Sequence, residues 1–265
     1  MKLFLVATGR GNLQDMIAAK TTHVLISYIY LEKSPKVIMA LLRKLRAQGA
    51  EVMIDSGAFT LFFKGGMDRT KLMAFAFRYF NWLIANKDCY DEYVELDVDV
   101  DFWTSSVPTP GLVSWKEIDA WNDQLTAKIG RQPISVWHST RTMDDYKYML
   151  GKYKHVGFSA ATDESSILKK RVMADMAHEK GVKVHGFACT RMELMRSVPF
   201  DTVDSTTWVI NASMFGAFMI YAKGKLSSTM KDGTKIKFKK GYPAKKIKRW
   251  SLIQWRRLAE QLEGI

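Results

Sequence analysis

Apolar residues fall along this chain in two alternating rhythms: short continuous runs, and longer stretches in which every third or fourth position is apolar. Leu3-Phe4-Leu5-Val6-Ala7 and His23-Val24-Leu25-Ile26-Ser27-Tyr28 are runs of strand length. Glu51-Val52-Met53-Ile54-Asp55 is a third, and residues 93–99, 133–138, 155–160, 182–188 and 202–205 bring the number to eight. Near-continuous apolar runs of this kind predict strands covered on both faces. Helical spacing marks residues 36–48, 70–86, 115–129, 143–153 and 166–179; in the second of these, Leu72, Phe75, Ala76, Tyr79, Phe80 and Leu83 form one stripe. A short helix is expected over 191–196. Residues 251–262 read as a closing helix with Leu252, Trp255, Leu258 and Leu262 inward.

Eight strands, most followed by a helical pattern, predict an α/β chain folded as a (β/α)8 TIM barrel of ordinary size. An open doubly wound sheet is the alternative. The barrel is favoured because polar residues recur at the carboxyl ends of the strands: Asp55, Asp97, His138, Ser159, His185 and Asp204. No GxGxxG or P-loop sequence supports a nucleotide-cofactor sheet. Asp97, Asp99 and Asp101 alternate, so they share a face if their strand runs that far.

After the eighth strand the pattern changes. Lys231-Asp232-Gly233-Thr234 lies between strand-like runs within 226–239, and Asp-Gly at the centre signals a hairpin. Lys235, Lys237 and Lys239 alternate with Ile236 and Phe238, which places three ammonium groups on one face. The expectation is one domain over 1–265 carrying a basic β-hairpin insertion at 224–250.

Charge sharpens this picture more than composition does. From Lys223 to Arg257 there are 13 Lys or Arg against one acid, Asp232, and that segment supplies nearly all of the net +13. A concentrated patch suits a polyanionic partner, with a solvated basic face as the plain alternative. The candidate phosphate contacts are Lys231, Lys235, Lys237, Lys239, Lys240, Lys245 and Lys246. Apolar residues make up 47% of the chain, ample for a large core. No apolar run approaches the roughly 20 residues of a membrane span, and residues 1–7 are too short for a secretory leader, so the expectation is a cytoplasmic protein with no membrane partner. Cys89 and Cys189 are too few and too far apart for a disulfide scaffold or a cysteine-rich zinc site.

Two acids at separate strand ends, Asp55 and Asp204, are the minimum equipment for chemistry at an anomeric carbon, where one group attacks and another moves a proton. Asp55 read alone fits equally well as a cap on the turn that follows it. Ile54-Asp55-Ser56-Gly57-Ala58-Phe59, Leu96-Asp97, His185-Gly186-Phe187-Ala188 and Asp201-Thr202-Val203-Asp204-Ser205 together, in that order, resemble the tRNA-guanine transglycosylase superfamily. Val203-Asp204-Ser205-Thr206-Thr207-Trp208 is similar to the phage and bacterial branch that inserts 7-deazaguanines into DNA. Ala58 stands where the family has a second glycine, and Ser205 where it has a cysteine.

The resemblance covers residues 1–222 and implies roles. Asp204 matches the nucleophile that attacks C1′, and Asp55 matches the acid/base. Asp97 matches the acid that reads the guanine edge, since a carboxylate accepts paired hydrogen bonds from N1 and the exocyclic amine. Phe59 and His185 correspond to positions that sandwich the base. Trp137, His138 and Ser159 fall near base-contacting loops. Without the resemblance, Phe59 reads as a core aromatic, and His138 and His185 as satisfied barrel histidines. Relatives acting on tRNA carry a zinc site of three cysteines and one histidine after the barrel. Those cysteines are missing here, so no metal and no cofactor is expected, and DNA is favoured over tRNA as the polymer. The implied activity is exchange of guanine in DNA for a free 7-deazaguanine such as preQ0. The alternatives are the same exchange on tRNA, a noncatalytic nucleic-acid-binding barrel and an unrelated sugar hydrolase.

Overall fold

The computed structural model describes residues 1–32, 35–63, 67–101, 109–159, 164–189, 191–214, 219–223, 225–228 and 244–264. Eight parallel strands form its centre: β1 (Lys2–Ala7), β2 (His23–Ser27), β3 (Glu51–Asp55), β4 (Glu92–Tyr93), β5 (Ser135–Trp137), β6 (His155–Ser159), β7 (Lys183–Phe187) and β8 (Thr202–Ser205). Neighbours in sequence are neighbours in space from β1 to β4 and from β5 to β8, and β8 pairs with β1. A parallel bridge between Val94 and Ile134 joins the two remaining edges. The sheet is thereby closed, and the fold is the expected (β/α)8 barrel.

Period-two alternation decides which side chains enter the barrel. Phe4, Val6, Leu25, Met53, Val94, Ile134 and Val136 form an inner apolar cluster with Phe187 packed on it. Intervening residues such as Leu5, Val24, Val52, Ile54, Phe158 and Val203 face outward into the larger core beneath the helices. It follows that Ser27, Asp55, His138, Phe187 and Asp204 also point inward, each at or just beyond the carboxyl end of its strand.

The helical layer comprises α1 (Arg10–Ala18), α2 (Tyr28–Leu31), α3 (Pro35–Ala47), α4 (Ala58–Phe63), α5 (Arg69–Ala85), α6 (Trp115–Ile129), α7 (Met143–Lys152), α8 (Glu164–Glu179), α9 (Met192–Ser197), α10 (Thr207–Met214) and α11 (Ala244–Glu263). Local chemistry sets several boundaries. Asp68 accepts from Lys71 N at the start of α5. Capping boxes Ser114/Glu117 and Thr142/Asp145 open α6 and α7, and Gly130 in the left-handed region ends α6. Leu72, Phe75, Ala76, Tyr79 and Leu83 are the buried stripe of α5.

Four differences from the sequence expectations matter. The fourth strand stops at Tyr93, where Tyr79 Oη donates to Val94 O and a tight Leu96 O–Val98 N bond turns the chain. Asp97, Asp99 and Asp101 therefore do not share a strand face; Val100–Asp101 instead pairs with Thr109–Pro110 in a separate antiparallel ribbon. The helices α1, α4 and α10 were not anticipated. Asn12 and Asp15 lie on the buried face of α1, so its apolar stripe is interrupted.

The basic segment also differs. Its residues Leu226–Ser228 pair with Met219–Ile220–Tyr221 in a short antiparallel ribbon, ahead of the expected Asp-Gly centre. Residues 244–250, expected in the insertion, form the first two turns of α11, so Lys245 and Lys246 are helical. The Asp232-Gly233 turn and Lys231, Lys235, Lys237, Lys239 and Lys240 lie outside the described residues. No helix among the described residues is long and apolar enough to cross a membrane. Both cysteines are buried and free.

Candidate active site at the barrel mouth

Three carboxylates converge on the carboxyl-terminal face. Asp55 closes β3, and its Oδ2 accepts from Ser27 Oγ at 2.5 Å and from Gly57 N at 3.1 Å. Gly57 has φ +82°, and a Cβ there would meet Ile29, so the sharp exit from β3 needs glycine. Burial pushes the Asp55 carboxyl above its ordinary value against the Ser27 bond, and the nearby charge of Asp204 pushes it further. The same acid thus accepts a cap-like backbone bond and sits beside a second carboxylate.

Asp204, on β8, is 7% exposed. Its Oδ1 accepts from Ala188 N at 2.8 Å and lies 3.3 Å from His185 Nε2. Ala188 holds φ +53°, a left-handed conformation that costs a non-glycine residue about 1 kcal/mol. Here that turn accompanies an N–H bonded to the carboxylate. Asp97 follows β4, and Ser56 Oγ donates to its Oδ1 at 2.9 Å. Burial, with Asp55 second, holds the Asp97 carboxyl well above the usual range.

His138 Nε2 lies 3.7 Å from Asp97 and 3.9 Å from Asp99. Burial lowers the His138 pKa to about 4, and the charge of Arg141 acts in the same direction. His138 is accordingly a neutral ring at neutral pH. Phe59, in the first turn of α4 just after the Asp55-Ser56-Gly57 exit, is 67% exposed, so it is not the core aromatic that its residue type alone suggests.

Two other expected site residues, Trp137 and His185, are placed differently, and Ser159 stands at its expected strand end. Trp137 alternates with the inward Val136 and His138, so it faces the helices: it packs edge-on to Tyr146, and Lys169 Nζ sits 4.8 Å over its ring. Its place is in the outer core and not at the mouth. His185 is two residues before the end of β7, one layer below the mouth, and is fully buried with Phe187 edge-on at 4.4 Å. A covered ring offers no open face for stacking; its polar contacts run to Asp204 and Thr202. Phe187 is the aromatic that ends β7. Ser159 ends β6 in register with Phe187, and its side chain lies outside the described residues.

A buried ionic cluster escaped the sequence reading. Arg141 Nε donates to Asp99 Oδ2 at 2.8 Å, and its NH2 lies 3.3 Å from Glu95 Oε1. Glu95 also accepts from Val136 N at 2.9 Å and Asn122 Nδ2 at 2.6 Å. Burial alone would lower the Arg141 pKa, but the Glu95 and Asp99 charges outweigh it and raise it further. The cluster anchors the chain on both sides of Asp97. Only the alternating acids hinted at it, because nothing local in the sequence pairs Arg141 with residues 42 and 46 positions earlier.

At the carboxyl end of β1, a cavity of about 510 Å³ opens between the β1–α1 turn and α11. Arg10, Lys245, Lys248 and Arg249 line it, together with Thr8, Gly9, Gly11 and Asn12. Its one carboxylate, Asp15, is engaged by Arg249 Nε at 2.7 Å. Of the expected lysine contacts, Lys245 reaches this cavity, and Lys246 is exposed on the same helix. Among the described residues, no group of three or more His, Cys, Asp or Glu is placed to hold a metal.

No protein-family model matches the chain, and no curated protein does. The transglycosylase family is therefore not returned by either comparison, and the resemblance stands on its short motifs. Similar solved structures include a mandelate racemase/muconate lactonizing protein from Herpetosiphon aurantiacus (15% identity, 78% of this chain, TM-score 0.46). The match spans only 55% of that protein. Others are a thiamine phosphate pyrophosphorylase from Pyrococcus furiosus (9% identity, 98% of this chain and 96% of that one, TM-score 0.49) and KGPDC from Streptococcus mutans (9%, 80% and 90%, TM-score 0.47). At these scores and identities they carry no argument about chemistry.

Proposed function

We propose that this protein is a base-exchanging transglycosylase that replaces guanine in DNA with a free 7-deazaguanine such as preQ0. The observation that carries the reading is the pair Asp55 and Asp204, two neighbouring carboxylates at one barrel mouth in unlike environments. Asp204 accepts from Ala188 N and lies against His185 Nε2, contacts that orient its carboxylate for attack. Asp55, pushed up by burial and by Asp204, is suited to hold a proton.

The steps balance. An Asp204 carboxylate oxygen attacks C1′ while the bond from C1′ to the guanine N9 breaks, and the Asp55 proton goes to the departing base. The entering 7-deazaguanine gives its N9 proton to the Asp55 carboxylate, and N9 then displaces Asp204 from C1′. Asp97, steadied by Ser56, would face the guanine N1 and exocyclic amine. Phe59 would cover the flipped base, and the cationic cavity at the carboxyl end of β1 would take a flanking phosphate.

Incubation of duplex DNA with the protein and labelled guanine or preQ0, followed by nucleoside mass analysis, tests this. Incorporation into DNA is expected, with loss of all exchange in Asp204→Ala and a loss of about 10²- to 10⁴-fold in Asp55→Asn. Label entering tRNA alone would overturn the DNA assignment. Binding of nucleic acid with no exchange would overturn the enzymatic one.

A further inference from the structure

A line of polar side chains crosses the barrel interior below the mouth, and the exchange steps above leave most of it unused. Asp204 Oδ1 is 3.3 Å from His185 Nε2, and His185 Nδ1 is 2.7 Å from Thr202 Oγ1. Thr202 Oγ1 is 3.3 Å from His155 Nε2, and His155 Nδ1 is 3.3 Å from Glu92 Oε2. Asp204, His185, Thr202 and His155 are all buried. The path runs from the mouth to the amino-terminal end of the barrel.

With Asp204 ionised and the His185 ring neutral, donor and acceptor counting gives the chain one direction. A carboxylate only accepts, so with Asp204 ionised the hydrogen between it and His185 sits on Nε2. Nδ1 of the neutral ring is then an acceptor, and the Thr202 hydroxyl must donate to it. That hydroxyl's remaining lone pairs accept from His155 Nε2–H. His155 Nδ1 then faces Glu92 Oε2 at the lower end of the chain. Burial pushes the Glu92 carboxyl up, but the hydrogen bond and charge of His155 outweigh it and hold Glu92 below its ordinary value.

We propose that Thr202, His155 and Glu92 are positioning residues: through this one-way chain they lock His185 in the Nε2–H tautomer, which aims a donor at Asp204 and keeps its carboxylate ionised. The chain gives a fully buried histidine a task that base stacking does not. Other titratable groups face it. Lys2 of β1, His23 of β2, Glu51 of β3 and Glu263 of α11 surround its lower end, and at its upper end Asp55 and Cys189 feel the charge of Asp204. Lys2 balances the acids below, so the chain ends near a compensated cluster.

The tautomer is a property of the protein alone, whereas the kinetic arm rests on the nucleophile role proposed for Asp204. Long-range proton–nitrogen correlation on ¹⁵N-labelled protein reads both nitrogens of each of the five histidines. The expected result is a protonated Nε2 and a bare Nδ1 for His185, kept in Thr202→Ser and lost or mixed in Thr202→Val. The acidic limb of kcat/KM for guanine exchange is expected to move up by about one pH unit in Thr202→Val and to return in Thr202→Ser. Should Thr202→Val fail to fold, His155→Gln breaks the same chain one link further on. Protonation of His185 at Nδ1 in the unsubstituted protein would overturn the proposal. So would a broken-chain variant that keeps the Nε2–H tautomer. Absence of exchange alongside the expected tautomers would count against base exchange and leave the chain standing.

Discussion

Replacing Arg141 by Met would test whether the ionic cluster beneath the mouth is structural. The guanidinium is 3% exposed, between Asp99 at 4% and Glu95 at 1%, so its removal leaves two carboxylates buried without their cation. Breaking such a pair from one side costs about 3–5 kcal/mol. The lower end applies here, because Glu95 keeps its bonds from Val136 N and Asn122 Nδ2 while Asp99 loses the donor at 2.8 Å. About 3 kcal/mol corresponds to a fall in Tm of about 6–12 °C for a chain of this length. The loss also has a pH signature. Burial already raises the Glu95 pKa, with Arg141 as the main opposing influence, so the variant raises it further. A carboxyl whose folded pKa lies above its unfolded one stabilises the fold below the unfolded pKa and loses that contribution as pH rises through the folded value. The deficit of Arg141→Met should therefore shrink from pH 8 to pH 5 in thermal melts followed by circular dichroism, and Asp99→Asn in the same chain should restore part of it. A deficit under about 1 kcal/mol, or one that is equal at both pH values, would refute the reasoning.

Three further outcomes are expected. A Cβ at Gly157 would stand 2.5 Å from Phe187 Cε2 and 3.2 Å from His185 O, so Gly157→Ala should cost about 1–3 kcal/mol in denaturant melts, and Phe187→Leu should recover part of it. The His23 hydrogen bond, against the cost of burial and with help from Lys2, lowers the Glu51 pKa to about 2. Its stabilisation is present above the unfolded value near 4.5 and is lost as pH falls toward 2, so the stability gap between the protein and Glu51→Gln should close over that window, as read by acid titration of the fold. If the cavity between the β1–α1 turn and α11 takes phosphates, Lys245→Ala/Lys248→Ala should weaken DNA binding and flatten the log–log salt dependence by about 2, as measured by fluorescence anisotropy.

The barrel was legible because its strands are buried on both faces. Runs such as Val52-Met53-Ile54 announce themselves whichever residue points inward, and the spacing of eight of them leaves few architectures. Short-range chemistry was legible too: Gly57 and Gly130 stand where positive φ is needed. Contacts between distant residues were not. Nothing in the sequence says that Arg141 will reach Glu95, or that His185 will bond Asp204 and lie under Phe187. Parity was equally hidden, since an unbroken run such as Ser135-Val136-Trp137-His138 does not reveal which alternate set faces the barrel axis. Trp137 was misplaced for that reason. The helix α1 was missed because Asn12 and Asp15 are spent on buried bonds, Asn12 to Thr8 and Asp15 to Arg249, where an apolar stripe would otherwise show.

With parity known, the interior divides into layers that explain why so few apolar residues line it. Lys2, His23, Glu51, Glu92 and His155 form the amino-terminal layer, tied by polar contacts of 2.5 to 3.5 Å. Phe4, Leu25, Met53 and Val94 fill the middle on one side, and His185 and Thr202 occupy the other beside Gly157. Ser27, Asp55, His138 and Asp204 lie above. A polar column beside an apolar half-core is costly unless its members satisfy one another, because each unpaired buried group costs about 1–3 kcal/mol. The column ends on Asp204, the acid whose ionised form the proposed chemistry requires. A barrel selected for stability alone would gain by filling that side with Val and Leu, so the column is best understood as cost retained for the carboxylate at its upper end.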